Sequence, residues 1–257
     1  MQRGRMLVVA GAVILAALVA GTATTLAQRP GSYRAPQQSY TGNVRYDGKF
    51  VFVRMSYPEN GFRRQPFWAH DYPEGETHFM KILTSVSNVA GHTEETAILD
   101  FGNPDMFKFP VIYLVEPGYW TMDDAQVEAL RGYLLKGGFL IVDDFPYWAW
   151  QQFEQQMARV FPDGQWQDLD VTHPIFHSFF DIKTLDIVPA YPALGDHPIF
   201  RAMFQENNPE RRMYVIANYQ NDLSEFWEFS EQGAYPIGET NEAYKVGVNQ
   251  FLYGLTH

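Results

Sequence analysis

The chain has 257 residues, 46% of them hydrophobic and 19% charged, enough for one large globular unit and too apolar for disorder to be its main theme. A formal charge of -11, with no basic stripe, argues against nucleic acid as a partner. The absence of cysteine removes disulfides, thiolate nucleophiles, zinc-thiolate sites and iron-sulfur clusters, leaving carboxylate, imidazole, hydroxyl and aromatic chemistry.

Arg3 and Arg5 precede an uncharged stretch, residues 6–26, and Thr25-Leu26-Ala27 offers small residues where a signal peptidase reads. Residues 1–27 therefore read as a signal peptide, with an uncleaved N-terminal anchor as the competing reading and membrane contact expected only through that segment. Export to the periplasm or medium follows. Residues 28–47, rich in Gln, Pro, Gly, Ser and Tyr, carry no periodic pattern and read as a flexible tether. No later linker is long enough to divide residues 48–257, which read as a single α/β domain.

The run 50–55 (Phe-Val-Phe-Val-Arg-Met) predicts a first strand. Phe79, Ile82, Leu83, Val86 and Val89 recur at steps of three and four and predict a helix within 73–90, stopped at Gly91. Two short apolar runs, 96–101 and 111–115, predict strands closed by Gly102-Asn103-Pro104 and Glu116-Pro117-Gly118. Thr121 and Asp124 have the shape of a capping box ahead of a helix carrying Val127, Leu130 and Leu134, ending at Gly137-Gly138. Residues 139–142 are apolar throughout, as in a strand covered on both faces. Further strands are expected over 185–188 and 213–217, and a terminal helix over 242–255. Such alternation of strands and helices predicts a three-layer α/β domain with a mostly parallel sheet. The repeated His-Pro-Ile-Phe at 173–176 and 197–200 reads as proline opening a helical turn.

Ligands in open α/β sheets bind outside the carboxyl ends of strands, which selects Asp143 and Asp144 after the 139–142 strand. Two adjacent carboxylates there could hold a divalent cation, divide acid and base roles, or take sugar hydroxyls. The competing reading has one of them capping the helix that holds Phe153 and Met157 while the other is solvated. Because neighbours in an extended chain face opposite ways, joint action on one ligand requires a turn. His173 and His177 have the four-residue spacing of paired metal ligands, although Pro174 intervenes and no His-Glu-x-x-His is present. His257, the last residue, joins the candidate cleft if the final helix packs near it. Trp148, with Tyr147 and Trp150, supplies an aromatic face suited to a saccharide or peptide beside the carboxylates, core packing being the alternative. Trp68, His70, Asp71 and Tyr72 form a second polar-aromatic cluster, and Asn221, Asp222, Trp227 and Glu228 a third. The candidate cleft thus comprises Asp143, Asp144, His173, His177, Trp148, Asp71, Asp222 and His257. No nucleophile elbow, phosphate loop or dinucleotide fingerprint is present, so no cofactor is expected beyond a divalent metal.

Taken together, several motifs carry a resemblance: Arg54 to Tyr57, Trp68 with Asp71-Tyr72-Pro73, Gly137-Gly138-Phe139-Leu140 with Asp143-Asp144-Phe145, and Phe161-Pro162. They continue with His173-Pro174-Ile175-Phe176-His177, Asn221-Asp222 with Trp227-Glu228, and Gly247-Val248-Asn249 to Leu255-Thr256-His257. The chain resembles an uncharacterised bacterial family, domain of unknown function 4159, over nearly all of residues 48–257. The resemblance implies a flavodoxin-like fold of the class I glutamine amidotransferase kind. True amidotransferases use a Cys nucleophile, which this chain lacks, so neither that activity nor any catalytic residue carries over. Two functions compete on these grounds. One is an exported, non-catalytic module that binds a ligand, a cell-envelope protein or a glycan at the strand ends. The other is a hydrolase of an envelope glycan or peptide, with Asp143 or Asp144 as base and His173 or His177 as acid or metal ligand.

Overall fold

Apolar side chains at every position make β3, Val111–Val115, the middle of the molecule: Val111, Tyr113 and Val115 enter one core, Ile112 and Leu114 the other. The computed structural model describes residues 43–59, 65–186 and 197–257, and the expected signal, most of the tether and part of the expected 185–188 strand lie outside these. The elements run β1 (Val53–Ser56), α1 (Glu74–Val86), β2 (Ala97–Asp100), β3, α2 (Asp124–Leu135), β4 (Phe139–Phe145) and α3 (Trp150–Val160). They continue with β5 (Trp166–Asp168), β6 (Ile199–Phe204), β7 (Met213–Tyr219), α4 (Leu223–Glu228) and α5 (Ile237–Thr256).

The seven strands form one sheet in the order β2-β1-β3-β4-β7-β6-β5. The pairs among β2, β1, β3, β4 and β7 are parallel, and β6 pairs antiparallel with both β7 and β5. Helices α1, α4 and α5 cover one face, packing Phe79, Leu83, Phe226, Trp227 and Phe251 against Phe52, Tyr113 and Ile141. Helices α2 and α3 cover the other, where Val127, Leu130, Phe153 and Met157 meet Val53, Ile112, Leu140 and Val215. The protein is a three-layer α/β fold of flavodoxin-like arrangement.

Local differences from the sequence reading have physical causes. The first strand begins at Val53, because Phe50 pairs only as a lone bridge to Gly91. Helix α1 ends at Val86, and Gly91 instead packs under Met80, whose methyl would lie 2.6 Å from an added Cβ. The capping box of α2 uses Asp123 and Gln126, each two residues after its counterpart in the pair read from sequence. Leu185 and Asp186 are irregular. Of the two His-Pro copies, Pro174 opens a short 3-10 turn with His173 as its cap, whereas His197-Pro198 leads into strand β6.

The outer edge at β2 is closed by a side chain. Asn43 accepts from the Ile98 N–H at 2.7 Å and donates to the Ile98 carbonyl at 2.8 Å, taking the place of a neighbouring strand.

Candidate functional site

Four non-glycine residues with left-handed backbone bring the site together: Asp71 (φ 61), Glu116 (φ 51), Asp144 (φ 47) and Gln220 (φ 61). Glu116 follows β3 directly, Gln220 follows β7, and Asp144 lies at the end of β4, where the register with β7 shifts between Val142 and Phe145. The irregularity does not bring the two adjacent carboxylates onto one ligand: Asp143 and Asp144 still face different ways.

Asp143 points into the core. Its Oδ2 accepts from the Tyr113 hydroxyl at 2.5 Å and from the backbone N–H groups of Leu223 and Ser224 at 2.9 and 3.0 Å, and its Oδ1 accepts from Asn218 Nδ2 at 3.0 Å. Asn218 in turn exchanges hydrogen bonds with Gln250 of α5. The carboxylate therefore anchors the start of α4 rather than that of α3, whose N-cap Ala149 has no side-chain bond. Neither aspartate caps the helix holding Phe153 and Met157, and neither is solvated: Asp143 and Asp144 are both buried. Burial pushes the Asp143 carboxyl up to about 6 against the pull of its donors.

Asp144 joins two groups. His70 Nδ1 lies 3.0 Å from Glu116 Oε1 and 3.5 Å from Asp144 Oδ2, and these two partners raise the imidazole to about 10, so it is a cation at neutral pH. Asp71, Asp144 and Asp222 form the second group, and each set of three offers ligand atoms within 4.8 Å of one another. A third set, Asp71 with Glu225 and Glu228, extends the cluster along α4. Ser224 Oγ ties the floor together, donating to Asp71 Oδ2 at 2.6 Å and to Asp222 Oδ1 at 3.3 Å.

Such crowding holds protons. Burial, then the neighbouring Asp144 and Asp71, lifts Asp222 well above the carboxylate range. Burial and Asp144 raise Asp71, and burial also raises Glu116 against its bond to His70. Glu228, half-buried and hydrogen-bonded to Asp71, is pushed up to about 8, burial being the larger cause. A bowl of this composition accepts either protons or an oxygen-preferring divalent cation that displaces them.

Next to the cluster lies a buried ion pair whose arginine pulls against the rise at Asp71. Arg54 of β1 donates through Nε to Glu76 Oε1 at 2.5 Å and lies 5.3 Å above the centre of the Tyr113 ring.

Of the eight residues read from sequence, the structure gathers Asp71, Asp144 and Asp222, with Trp148 on the loop just beyond β4 and Asp143 underneath. The three histidines lie elsewhere. His173 accepts from the Ile175 N–H and sits near the Tyr253 ring, on which His257 stacks at 4.3 Å. That end of α5 rests on the beginnings of β3 and β4, since a Cβ on Gly254 would meet Phe139 and Val111 at 2.5 and 2.9 Å. His177 is bound to Asp181 and to the Val171 carbonyl. The imidazole that joins the carboxylates is His70. Glu116, Glu225 and His70 were not among the residues singled out for the cleft, although Glu116 shares with Asp144 the signal of an acid at a strand's carboxyl end.

The fold and the bowl define a flavodoxin-like α/β domain with an acidic site at the carboxyl ends of its central strands. A family model matches residues 49–255, and the chain belongs to that family, described as Domain of unknown function (DUF4159). No curated protein matches the chain.

Proposed function

We propose that the protein is an exported, non-catalytic binding module on an amidotransferase-like scaffold, whose carboxylate bowl binds a divalent cation as part of its ligand. One observation carries this reading: Asp144 belongs at once to the His70-Glu116-Asp144 and Asp71-Asp144-Asp222 groups, so a single carboxylate borders two adjoining three-ligand positions. Carboxylate oxygens suit hard ions such as Mg2+, Mn2+ or Ca2+, and the Asp71-Asp144-Asp222 set offers carboxylates alone. The scaffold's usual nucleophile is unavailable in a chain without cysteine. Export rests on the charged and apolar pattern of residues 1–27.

The test is thermal unfolding and calorimetric titration with each of these ions. At one hundred times Kd a bound ion stabilises the fold by about 2.7 kcal/mol. That gain should vanish in Asp144→Asn. A flat response to every ion by the folded wild type would overturn the reading.

A hydrolase acting on an envelope glycan or peptide is the second reading, favoured by the proton carriers beside carboxylates: His70 against Glu116 and Asp144, and Glu228 against Asp71. Here His70 takes the acid role first considered for His173 or His177. Turnover of a cell-wall substrate, lost in His70→Gln, would replace the binding reading with this one.

A further inference from the structure

Large aromatic side chains are usually buried, and Trp120 and Trp227 of this chain are. Three rings at the bowl end are different: Tyr119 is 39%, Trp148 45% and Tyr147 54% exposed. They lie on the loops that follow β3 and β4, the first of which also carries Glu116, while Asp144 lies at the end of the strand ahead of the second. A continuous path of rings leads inward. Trp148 meets Tyr119 edge-on at 5.2 Å, Tyr119 stacks on Phe67 at 3.4 Å, and Phe67 lies 5.8 Å from the His70 ring that binds Glu116 and Asp144.

The Trp148 indole has a seat built for it. It lies so close over Gly118 that an added Cβ would come within 2.3 Å of Cζ3, so only glycine allows this approach. Its backbone belongs to the short 3-10 turn Tyr147–Ala149, which runs directly into α3, and the Tyr219 hydroxyl donates to the Tyr147 carbonyl at 3.3 Å. The exposed ring is therefore placed by rigid elements, as a preorganised contact surface requires.

Beside the rings, Glu116 and Asp144 are acceptors. A pyranose presents the matching chemistry, an apolar C–H face that lies on an aromatic ring and hydroxyl groups that donate to carboxylates or coordinate a cation. Anionic sugars are disfavoured by the bowl's charge. We propose that the Trp148-Tyr119-Phe67 ledge is a subsite for the rings of a neutral oligosaccharide, whose hydroxyls reach toward Glu116 and Asp144. The ledge stands on its own geometry, and only the reach of the hydroxyls into the bowl rests on the cation-binding reading.

The experiment titrates the purified full chain with chitotetraose, cellotetraose and trialanine, with Ca2+ or Mn2+ and again with chelator, following tryptophan emission and heat. Saturable binding of either sugar is expected, weakened about ten-fold or more in both Trp148→Ala and Tyr119→Ala, a loss of about 1.4 kcal/mol. Both variants should keep the wild-type unfolding midpoint and cation response. Sugar binding that neither variant weakens would overturn the ledge, as would saturation by trialanine alone. A cation response without binding of either sugar would overturn the ledge and leave the bowl standing, whereas the absence of both responses in folded protein would overturn both.

Discussion

Asp143 and Asp144 are neighbours in sequence with opposite structural duties, and exchanging each for asparagine or alanine separates them. Asp143→Ala removes the acceptor shared by four donors: the Tyr113 hydroxyl, the Asn218 amide and the N–H groups of Leu223 and Ser224. An orphaned buried donor costs about 1–3 kcal/mol. The four do not add fully, because removing Asp143 also recovers the cost of burying a carboxyl. A net loss of about 3–5 kcal/mol is expected, a large share of the roughly 5–15 kcal/mol available to a domain. Asp143→Asn keeps one acceptor but sets an amide against the Asn218 amide, for a loss of about 1–3 kcal/mol. Asp144→Asn leaves these bonds untouched, and asparagine tolerates the left-handed backbone at φ 47, so stability should stay within about 1 kcal/mol of wild type. Urea unfolding with an unchanged slope measures the stabilities, and calorimetry with Mn2+ measures binding. The reasoning is refuted if Asp143→Asn is as stable as wild type, or if it abolishes Mn2+ binding while Asp144→Asn does not.

In chelator-treated buffer, stability should fall as pH rises from about 4 to about 8. Burial lifts the folded pKa of Asp143 from 3.8 to about 6, of Glu76 from 4.5 to about 6 and of Glu228 from 4.5 to about 8. A raised folded pKa contributes stability below the unfolded value and loses it as pH climbs through the folded one. His70, raised from 6.5 to about 10 by Asp144 and Glu116, extends the same decline between those values. Denaturant midpoints across this range, with and without Mn2+, provide the check, and a rise in metal-free stability toward pH 8 would contradict it. Asn43→Ala should expose the Ile98 N–H at the sheet edge, cost about 1 kcal/mol, and appear as faster hydrogen exchange at Ile98.

The central sheet was legible because its strands are covered on both sides and so read as apolar runs, as with Val111–Val115 and Phe139 onward. The antiparallel end was not. β5 is three residues long and at most half buried, and β6 opens with a His-Pro that also starts a helical turn elsewhere in the chain. Local sequence does not separate those two outcomes, since it is pairing with β7 that makes the second copy a strand. At the site, the strand-end rule pointed to Asp143 and Asp144, and Asp71 and Asp222 were grouped with them from composition alone, with no rule to say how the 70–72 and 221–228 clusters meet. Their union depends on contacts such as Ser224 to Asp71, 153 positions apart, which no spacing rule encodes. The histidines misled for a related reason: four-residue spacing places side chains together on a regular helix, and His173 stands outside the turn as its cap.

The left-handed backbone at Asp71, Glu116, Asp144 and Gln220 bears on how such a site persists. Each holds a conformation that costs an L-residue about 1 kcal/mol and that glycine adopts freely. Glycine at Glu116, Asp144 or Asp71 would relax the backbone and also remove a buried carboxyl. A lineage selected for durability alone would therefore drift toward a smooth, glycine-cornered rim, and a library screened only for heat resistance should enrich these substitutions first. The acidic corners thus carry a backbone cost that the fold by itself does not require.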